Sequence, residues 1–210
     1  MAEGVSSRRP APARPLSAAD WTAAAMDAIV HGGVSAVAVE PLALRLGATK
    51  GSFYHHFANW DALIVATLED WERSKTEAVI ERLELIPDPA ERLRAVLAAA
   101  FADRTGGVRD AALLAAATHP LVKPIVERVT ERRLRYFTDM YAQLGLAGPR
   151  ARRRALMLYL SYIGLFDCVR LGMADLSDTE LREHAREVLA TLVPGPDGVT
   201  GRPGARTSRS

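Results

Sequence analysis

The sequence predicts an all-α protein of about nine helices. Three observations carry that reading. Apolar residues recur three and four apart through most of the chain. No run alternates strictly between apolar and polar residues with turn signals at its ends, so a sheet is not expected. Good N-cap residues stand just ahead of successive apolar stripes. The two ends, 1–15 and 194–210, are rich in Pro, Gly, Ser and Arg, lack any hydrophobic period, and read as disordered.

Ser17 caps the first helix, whose stripe is Trp21, Ala25, Ala28 and Ile29. His31-Gly32-Gly33 closes it, because glycine accepts the left-handed geometry of a helix end. Val37 and Val39 lead into a short helix over 40–46, with Leu42, Ala43 and Leu46 on its inner side and Gly47 as its stop. A third short helix runs from about Lys50 to about Phe57. Asn59 caps a long fourth helix, Asp61 in its first turn favours the dipole, and Ile64, Leu68, Trp71 and Val79 carry its stripe to about Leu85. Pro87 and Pro89 break the chain, and the next helix, 88–103, is expected to stop near Gly106-Gly107. A short helix over 108–118 ends at His119-Pro120, followed by a long one over 121–144 with Leu134, Phe137, Tyr141 and Leu144 in step. Gly148-Pro149 precedes a helix over 150–172, and Ser177 with Glu180 forms the capping box of the last, whose stripe is Leu181, Ala185, Val188 and Leu192.

Composition narrows the function classes. With 210 residues, 49% of them apolar, the chain can bury a sizeable core as one or two domains. A net charge of +2 gives no global field, so any nucleic-acid surface must be local. Cys168 is the only cysteine, which excludes an intrachain disulfide and fits a reducing cytoplasm. In its apolar run Cys168 reads as a small hydrophobe. The longest apolar run, 155–166, is too short to cross a bilayer, so no membrane is expected. The N-terminal stretch holds Arg8, Arg9 and Arg14 and lacks the apolar centre of a signal peptide. No catalytic triad order, phosphate loop, metal signature or dinucleotide fingerprint is present, so neither an enzyme nor a cofactor is expected. A helical protein-binding adaptor and an all-α enzyme acting through Asp167, His119 or His184 are the alternatives.

The stretch GATKGSFYHHF, residues 47–57, concentrates polar chemistry. Together with 40–46 it has the grammar of a helix-turn-helix: a short helix, a turn opened by glycine, and a second short helix. Phe53 and Phe57 are four apart and share the inner face. Gly51, Ser52 and His55 then face outward, with Lys50, Tyr54 and His56 at the margins. A helix placed this way can enter a major groove. Thr49 can cap it or bond a phosphate, and Lys50 supplies charge where backbone N–H groups also favour an anion. Gly51 permits close approach, Ser52 can bond several base edges, and Tyr54 and His56 can reach phosphates. Adjacent histidines point apart on a helix, so His55 and His56 do not form a metal pair, and no metal is expected.

The segment VEPLALRLGATKGSFYHHFANWDALI resembles the DNA-binding segment of the tetracycline-repressor (TetR) family of bacterial regulators. Val39, Leu42-Ala43, Leu46-Gly47, Ser52, Phe53-Tyr54 and Phe57 carry the resemblance, which covers about Ser17 to Trp71. It implies a three-helix DNA-binding head joined by a long helix to a C-terminal helical ligand-binding and dimerisation domain. The expected division is 1–15 basic arm, 16–76 head, 77–193 C-terminal domain and 194–210 tail. The expected DNA-contacting set is Arg45, Thr49, Lys50, Gly51, Ser52, Tyr54, His55 and His56. Double-stranded palindromic DNA is the expected partner, and a small molecule of unknown identity the expected effector. Three positions depart from the family pattern. Ala38 stands where a hydroxyl residue commonly caps the second helix and touches phosphate. Pro41 lies in that helix's first turn, where its missing N–H costs little. Trp60 stands where lysine is common, near the DNA backbone. From 17 to 60 there are two basic residues, Arg45 and Lys50, against Asp20, Asp27 and Glu40, so phosphate attraction is expected to lean on the arm.

The helix over 150–172 is apolar on two faces. Leu156, Leu160, Ile163 and Leu171 read as one stripe, with Met157, Tyr162, Phe166 and Val169 on other sides. A helix of that kind must be covered twice, which predicts a homodimer through 150–172 and 177–193. The resemblance also implies a cavity among helices 88–172, for which Phe101, His119, Phe137, Tyr141, Tyr162, Phe166 and Asp167 are candidates. Asp167 interrupts an apolar stripe, and an arginine partner is its expected company.

Overall fold

The computed structural model describes residues 16–146 and 148–193, so the expectations for the basic arm and the tail fall outside the described residues. Among the described residues there is no strand. The helices are α1 (Ala18–Gly32), α2 (Val39–Arg45), α3 (Lys50–His56), α4 (Trp60–Glu72), α5 (Ala78–Glu84), α6 (Pro89–Ala102), α7 (Arg104–Ala115), α8 (Lys123–Gln143), α9 (Pro149–Arg170) and α10 (Asp178–Leu192). A 3-10 turn, Val34–Ala36, joins α1 to α2. A π-helical segment, Arg73–Glu77, joins α4 to α5 without a break, so counting that rod as one gives the nine helices the sequence predicts.

Local chemistry sets most of the boundaries. The Asp20 carboxylate accepts from both the backbone N–H and the hydroxyl of Ser17, each at 2.7 Å, closing a capping box on α1. Gly33, at φ +72°, lets the chain turn out of that helix. Asn59 Oδ1 accepts from the N–H of Ala62 at 2.8 Å to start α4. Ser177 and Glu180 form the box of α10, with the Ser177 N–H donating to the Glu180 carboxylate at 2.8 Å.

Gly106 and Gly107 correct one expectation, because they do not end a helix and instead lie in the first turns of α7. A Cβ on Gly107 would stand 2.3 Å from the Phe166 ring, and one on Gly106 would stand 2.3 Å from the Asp103 carboxylate. Gly107 permits close packing of α7 on α9, and Gly106 leaves room for the Asp103 cap of α7; neither makes a turn. The π segment is a second correction: the sequence pattern runs smoothly from 60 to 85 and gives no sign of it.

Two apolar clusters organise the molecule. The first holds α1–α4 around Trp21, Ile29, Phe53, Leu63, Ile64 and Leu68, and extends into Leu113 of α7 and Val126 and Val129 of α8. The second joins α5–α10 around Leu93, Phe101, Met140, Tyr141, Leu158 and Phe166. The stripe of α10, Leu181, Ala185, Val188 and Leu192, is buried against this second cluster.

On α9 the inward face is Ala155, Leu158, Tyr159, Ile163 and Phe166. The outward face carries Leu156, Met157 and Leu160, with Leu171 just past the helix, each 42–56% exposed. Ile163 therefore belongs to the buried side, and Met157 takes its place in the outward stripe. Gly164 is also exposed, and a Cβ there would meet nothing within 4 Å. Among the described residues no helix is long and apolar enough to cross a membrane.

Candidate nucleic-acid interface and ligand cavity

The third helix is fixed from beneath by aromatics. Phe53 is fully buried, its ring edge-on to Trp21 at 5.5 Å and stacked on Phe57 at 5.7 Å. With that face held, Gly51, Tyr54 and His55 point to solvent, and Tyr54 is 55% exposed. Thr49 is the N-cap: its hydroxyl oxygen accepts from the N–H of Ser52 at 3.3 Å. Gly51 has an ordinary helical φ, and the nearest atom to a Cβ built there is Thr49 Oγ1 at 3.6 Å. Nothing within the fold requires a glycine at this position.

Several expected contact residues have partners inside the chain. The guanidinium of Arg45 donates to the carbonyl of Ala24, tying α2 to α1. Lys50 Nζ pairs with Glu40 Oε1 at 2.7 Å, on the surface. The hydrogen bond and charge of Lys50 lower the pKa of Glu40, and Glu40 in turn raises that of Lys50. So exposed a pair is weak and exchanges readily for a phosphate. His56 Nε2 lies 2.9 Å from the carbonyl of Leu16, so the proton sits on Nε2 and the ring fastens the start of α1. Trp60 is half-buried, not spread on a DNA-facing surface. Its Nε1–H donates to the Val37 carbonyl at 2.7 Å, and its ring stands edge-on to His119 at 5.9 Å. His119 thus sits at the junction of the head with α7 and α8, away from the interior cavity.

That cavity, about 240 Å³, opens between the π segment, α5, α6, α7, α8 and α9. Of the aromatics expected there, Phe137 and Tyr162 line it. Phe101, Tyr141 and Phe166 are fully buried and do not line it. Asp167 does not line it either, and its carboxylate takes Arg170 at 2.6 Å and 2.9 Å, the arginine partner expected for it.

The polar end of the cavity went unread in the sequence. Asp110, on α7, accepts from Trp71 Nε1–H at 2.7 Å, from Arg133 Nη1 at 2.6 Å and from the Tyr162 hydroxyl at 3.3 Å. Arg133, on α8, also donates from Nε to Thr76 Oγ1 at 2.9 Å and from Nη2 to the Lys75 carbonyl at 3.2 Å, both in the π segment. Its guanidinium lies 5.2 Å from the centre of the Trp71 ring. Burial opposes the charge on Arg133, yet the Asp110 carboxylate holds its pKa above the usual arginine value. Burial, reinforced by Asp110, pushes the Tyr162 phenol well above its usual range and keeps it a neutral donor. A lone acid in the apolar helix around Asp110 was the available signal; Arg133, inside the run ERRLR, had none. Among the described residues no group of three or more metal-ligating side chains occurs.

The family model described as "Bacterial regulatory proteins, tetR family" matches residues 22–67, the segment that holds this head. That segment carries a tetR-family head. A curated TetR-type relative, the HTH-type transcriptional regulator BetI of Klebsiella pneumoniae (strain 342), is 31% identical over 80 residues. That stretch is 37% of this chain and 41% of BetI, so the match spans less than half of the relative. Among solved structures, the transcriptional regulator FadR from Bacillus subtilis, in complex with stearoyl-CoA, superposes with a TM-score of 0.67 at 17% identity, covering 84% of this chain and 98% of that one. AibR, in complex with isovaleryl coenzyme A and operator DNA, gives 0.63 at 20% identity, covering 84% and 97%. At these identities the likeness is one of TetR fold, head and C-terminal helical domain together.

Proposed function

We propose that this chain is a sequence-specific DNA-binding transcriptional regulator, acting as a homodimeric repressor that a small-molecule effector releases from a palindromic operator. The observation that carries the reading is the outward face of α3. Its inner face is locked by Phe53 and Phe57, and its outer face offers Gly51, Tyr54 and His55 to solvent. A glycine that the fold does not need, on an exposed helix, fits a surface that another molecule approaches closely. Thr49, Lys50, Ser52, Tyr54 and His55 are the proposed DNA-contacting side chains. Arg45 and His56 brace the head from behind.

With Lys50 on Glu40 and Arg45 on Ala24, both cations between 17 and 60 are engaged within the chain. Phosphate attraction therefore falls to the basic arm at 1–15, outside the described residues, and to exchange of Lys50 from Glu40 to phosphate. The head is assigned to 16–76 and the effector and dimerisation domain to 77–193; that boundary falls inside the π segment. The exposed stripe of α9, with Gly164 allowing close approach, is the proposed centre of the dimer, and α10 its flank. Two α3 helices must then lie about 34 Å apart, or a multiple, to enter successive major grooves. The B. subtilis FadR and AibR complexes carry acyl-coenzyme A ligands, and AibR also operator DNA, which supports a ligand-responsive reading of the cavity. A regulator of this kind works in the cytoplasm.

A gel shift with DNA flanking the chain's own gene tests the proposal. Expected is a retarded band that resists excess non-specific DNA, and removal of residues 1–15 should weaken it and flatten its salt dependence. No band with any flanking segment overturns the reading.

A further inference from the structure

The wall of the cavity divides sharply. Val79, Ile80, Leu83, Val96, Leu97 and Leu158 form an apolar body, and Arg133, Asp110, Lys75 and Tyr162 gather at a polar end. The donor count at that end is unequal. Arg133 carries five N–H donors. Among the described residues three are used, by Thr76, Asp110 and the Lys75 carbonyl, and the Tyr159 hydroxyl lies beside the same guanidinium, so at most two remain for a ligand. Asp110 already receives Trp71, Arg133 and Tyr162, against about four acceptor positions on a carboxylate. The cation has spare capacity and the anion is nearly full, so the site favours a ligand that accepts hydrogen bonds. Charge agrees: Lys75, Arg82 and Arg133 line the cavity against Asp103 and Asp110. Size bounds the body of the ligand. At about 240 Å³ the cavity falls below the roughly 300–1,000 Å³ of pockets that enclose drug-sized ligands, so it does not enclose a whole coenzyme A.

We propose that this cavity takes a small, apolar, short- to medium-chain carboxylic acid, anchored by Arg133, whose carboxylate competes with Asp110 for that guanidinium. The proposal rests on the ligand-responsive reading above and names the ligand class of that same site. It also supplies the differential contact that an effector needs. Arg133 holds the π segment through Thr76 and Lys75, and Asp110 holds Trp71 on α4. A ligand that draws Arg133 away from Asp110 changes the grip on both, and α4 is rooted in the DNA-binding head.

Isothermal titration of the full chain with octanoate and 4-phenylbutyrate, against octanamide and octylamine, tests the class. Both acids should bind at least tenfold tighter than the amide, with no binding of the amine. Arg133→Met should abolish the preference for acids. That change strands a buried carboxylate and can unfold the chain, so Asp110→Asn is the second variant. Removing the competitor should tighten octanoate binding about tenfold, the opposite of what general damage would do. The proposal is overturned by equal affinity for octanoate and octanamide, by tighter binding of octylamine, by no binding of either acid, or by weaker octanoate binding in Asp110→Asn. Operator binding by the ligand-free chain is measured alongside. A chain that takes the acids but no DNA refutes the regulator and keeps the anchor. A chain that binds DNA but neither acid refutes the anchor alone.

Discussion

Replacing Gly51 with alanine separates folding from function, because the two should move in opposite directions. The residue is the second of α3, exposed, with a normal helical φ, and a methyl there would make only an ordinary van der Waals contact with Thr49 Oγ1 at 3.6 Å. Alanine is better than glycine inside a helix by about 1 kcal/mol; in a first turn roughly half of that, about 0.5 kcal/mol, is expected. For a chain of this size that gain raises Tm by about 1–2 °C. The same methyl projects from the face proposed to meet the major groove, where DNA cannot give way by rotating a side chain. Operator affinity should fall at least tenfold, or about 1.4 kcal/mol. Differential scanning fluorimetry at fixed protomer concentration and a titrated gel shift give the two readouts. A fall in Tm would show that the fold needs this glycine after all. A variant that is as stable as expected and binds operator unchanged would remove α3 from the interface.

Other changes probe the remaining architecture. Leu160→Glu places a charge in the exposed stripe of α9 and should convert the proposed dimer to monomer in sedimentation velocity; an unchanged sedimentation coefficient would place the interface elsewhere. Gly107→Ala drives a methyl into the Phe166 ring at 2.3 Å and should cost about 1–3 kcal/mol in urea unfolding, whereas a turn-forming role would make it nearly neutral in that assay. Tyr141 is fully buried with no hydrogen-bond partner for its hydroxyl among the described residues, and burial raises its pKa from 10.0 to about 12. The folded state therefore holds this proton after the unfolded state has lost it. Stability is fully present below about pH 10 and falls as pH rises towards 12, by roughly 2–3 kcal/mol. Tyr141→Phe should remove that share of the alkaline loss and stabilise the neutral protein by about 1 kcal/mol, read from unfolding midpoints at pH 8 and pH 11.5.

The chain displays its short-range physics openly. Ser17, Asn59 and Ser177 announce helix starts because a cap and its partner lie within three residues, and the structure shows all three bonds. The aromatic spacing of Phe53 and Phe57 likewise fixes which side of α3 faces in. Long-range causes were hidden. Gly106 and Gly107 read as a stop because glycine is usually a local signal, while the atom that demands Gly107 belongs to Phe166, on another helix. Ile163 reads as one stripe with Leu156, Leu160 and Leu171, yet it is buried and they are exposed, because an apolar residue looks the same on either face of a helix covered twice. Trp60 looked like a departure at a DNA contact, and its partners Val37 and His119 make it a strut of the head. The pairing of Asp110 with Arg133 spans 23 residues and needs α7 and α8 folded before it exists, so no motif announces it.

Because the apolar interior of the head runs on into Leu113, Val126 and Val129, the piece that moves as one body is larger than the DNA-binding segment. Native-state hydrogen exchange would then sort the amides by cluster instead of by sequence domain. Val126 and Val129 should open with Ile29 and Leu68, while Leu158 and Met140 open with α6 and α10. The long helix α8 would show two protection levels along its length. The seam between them passes beside Arg133, the residue that touches both halves.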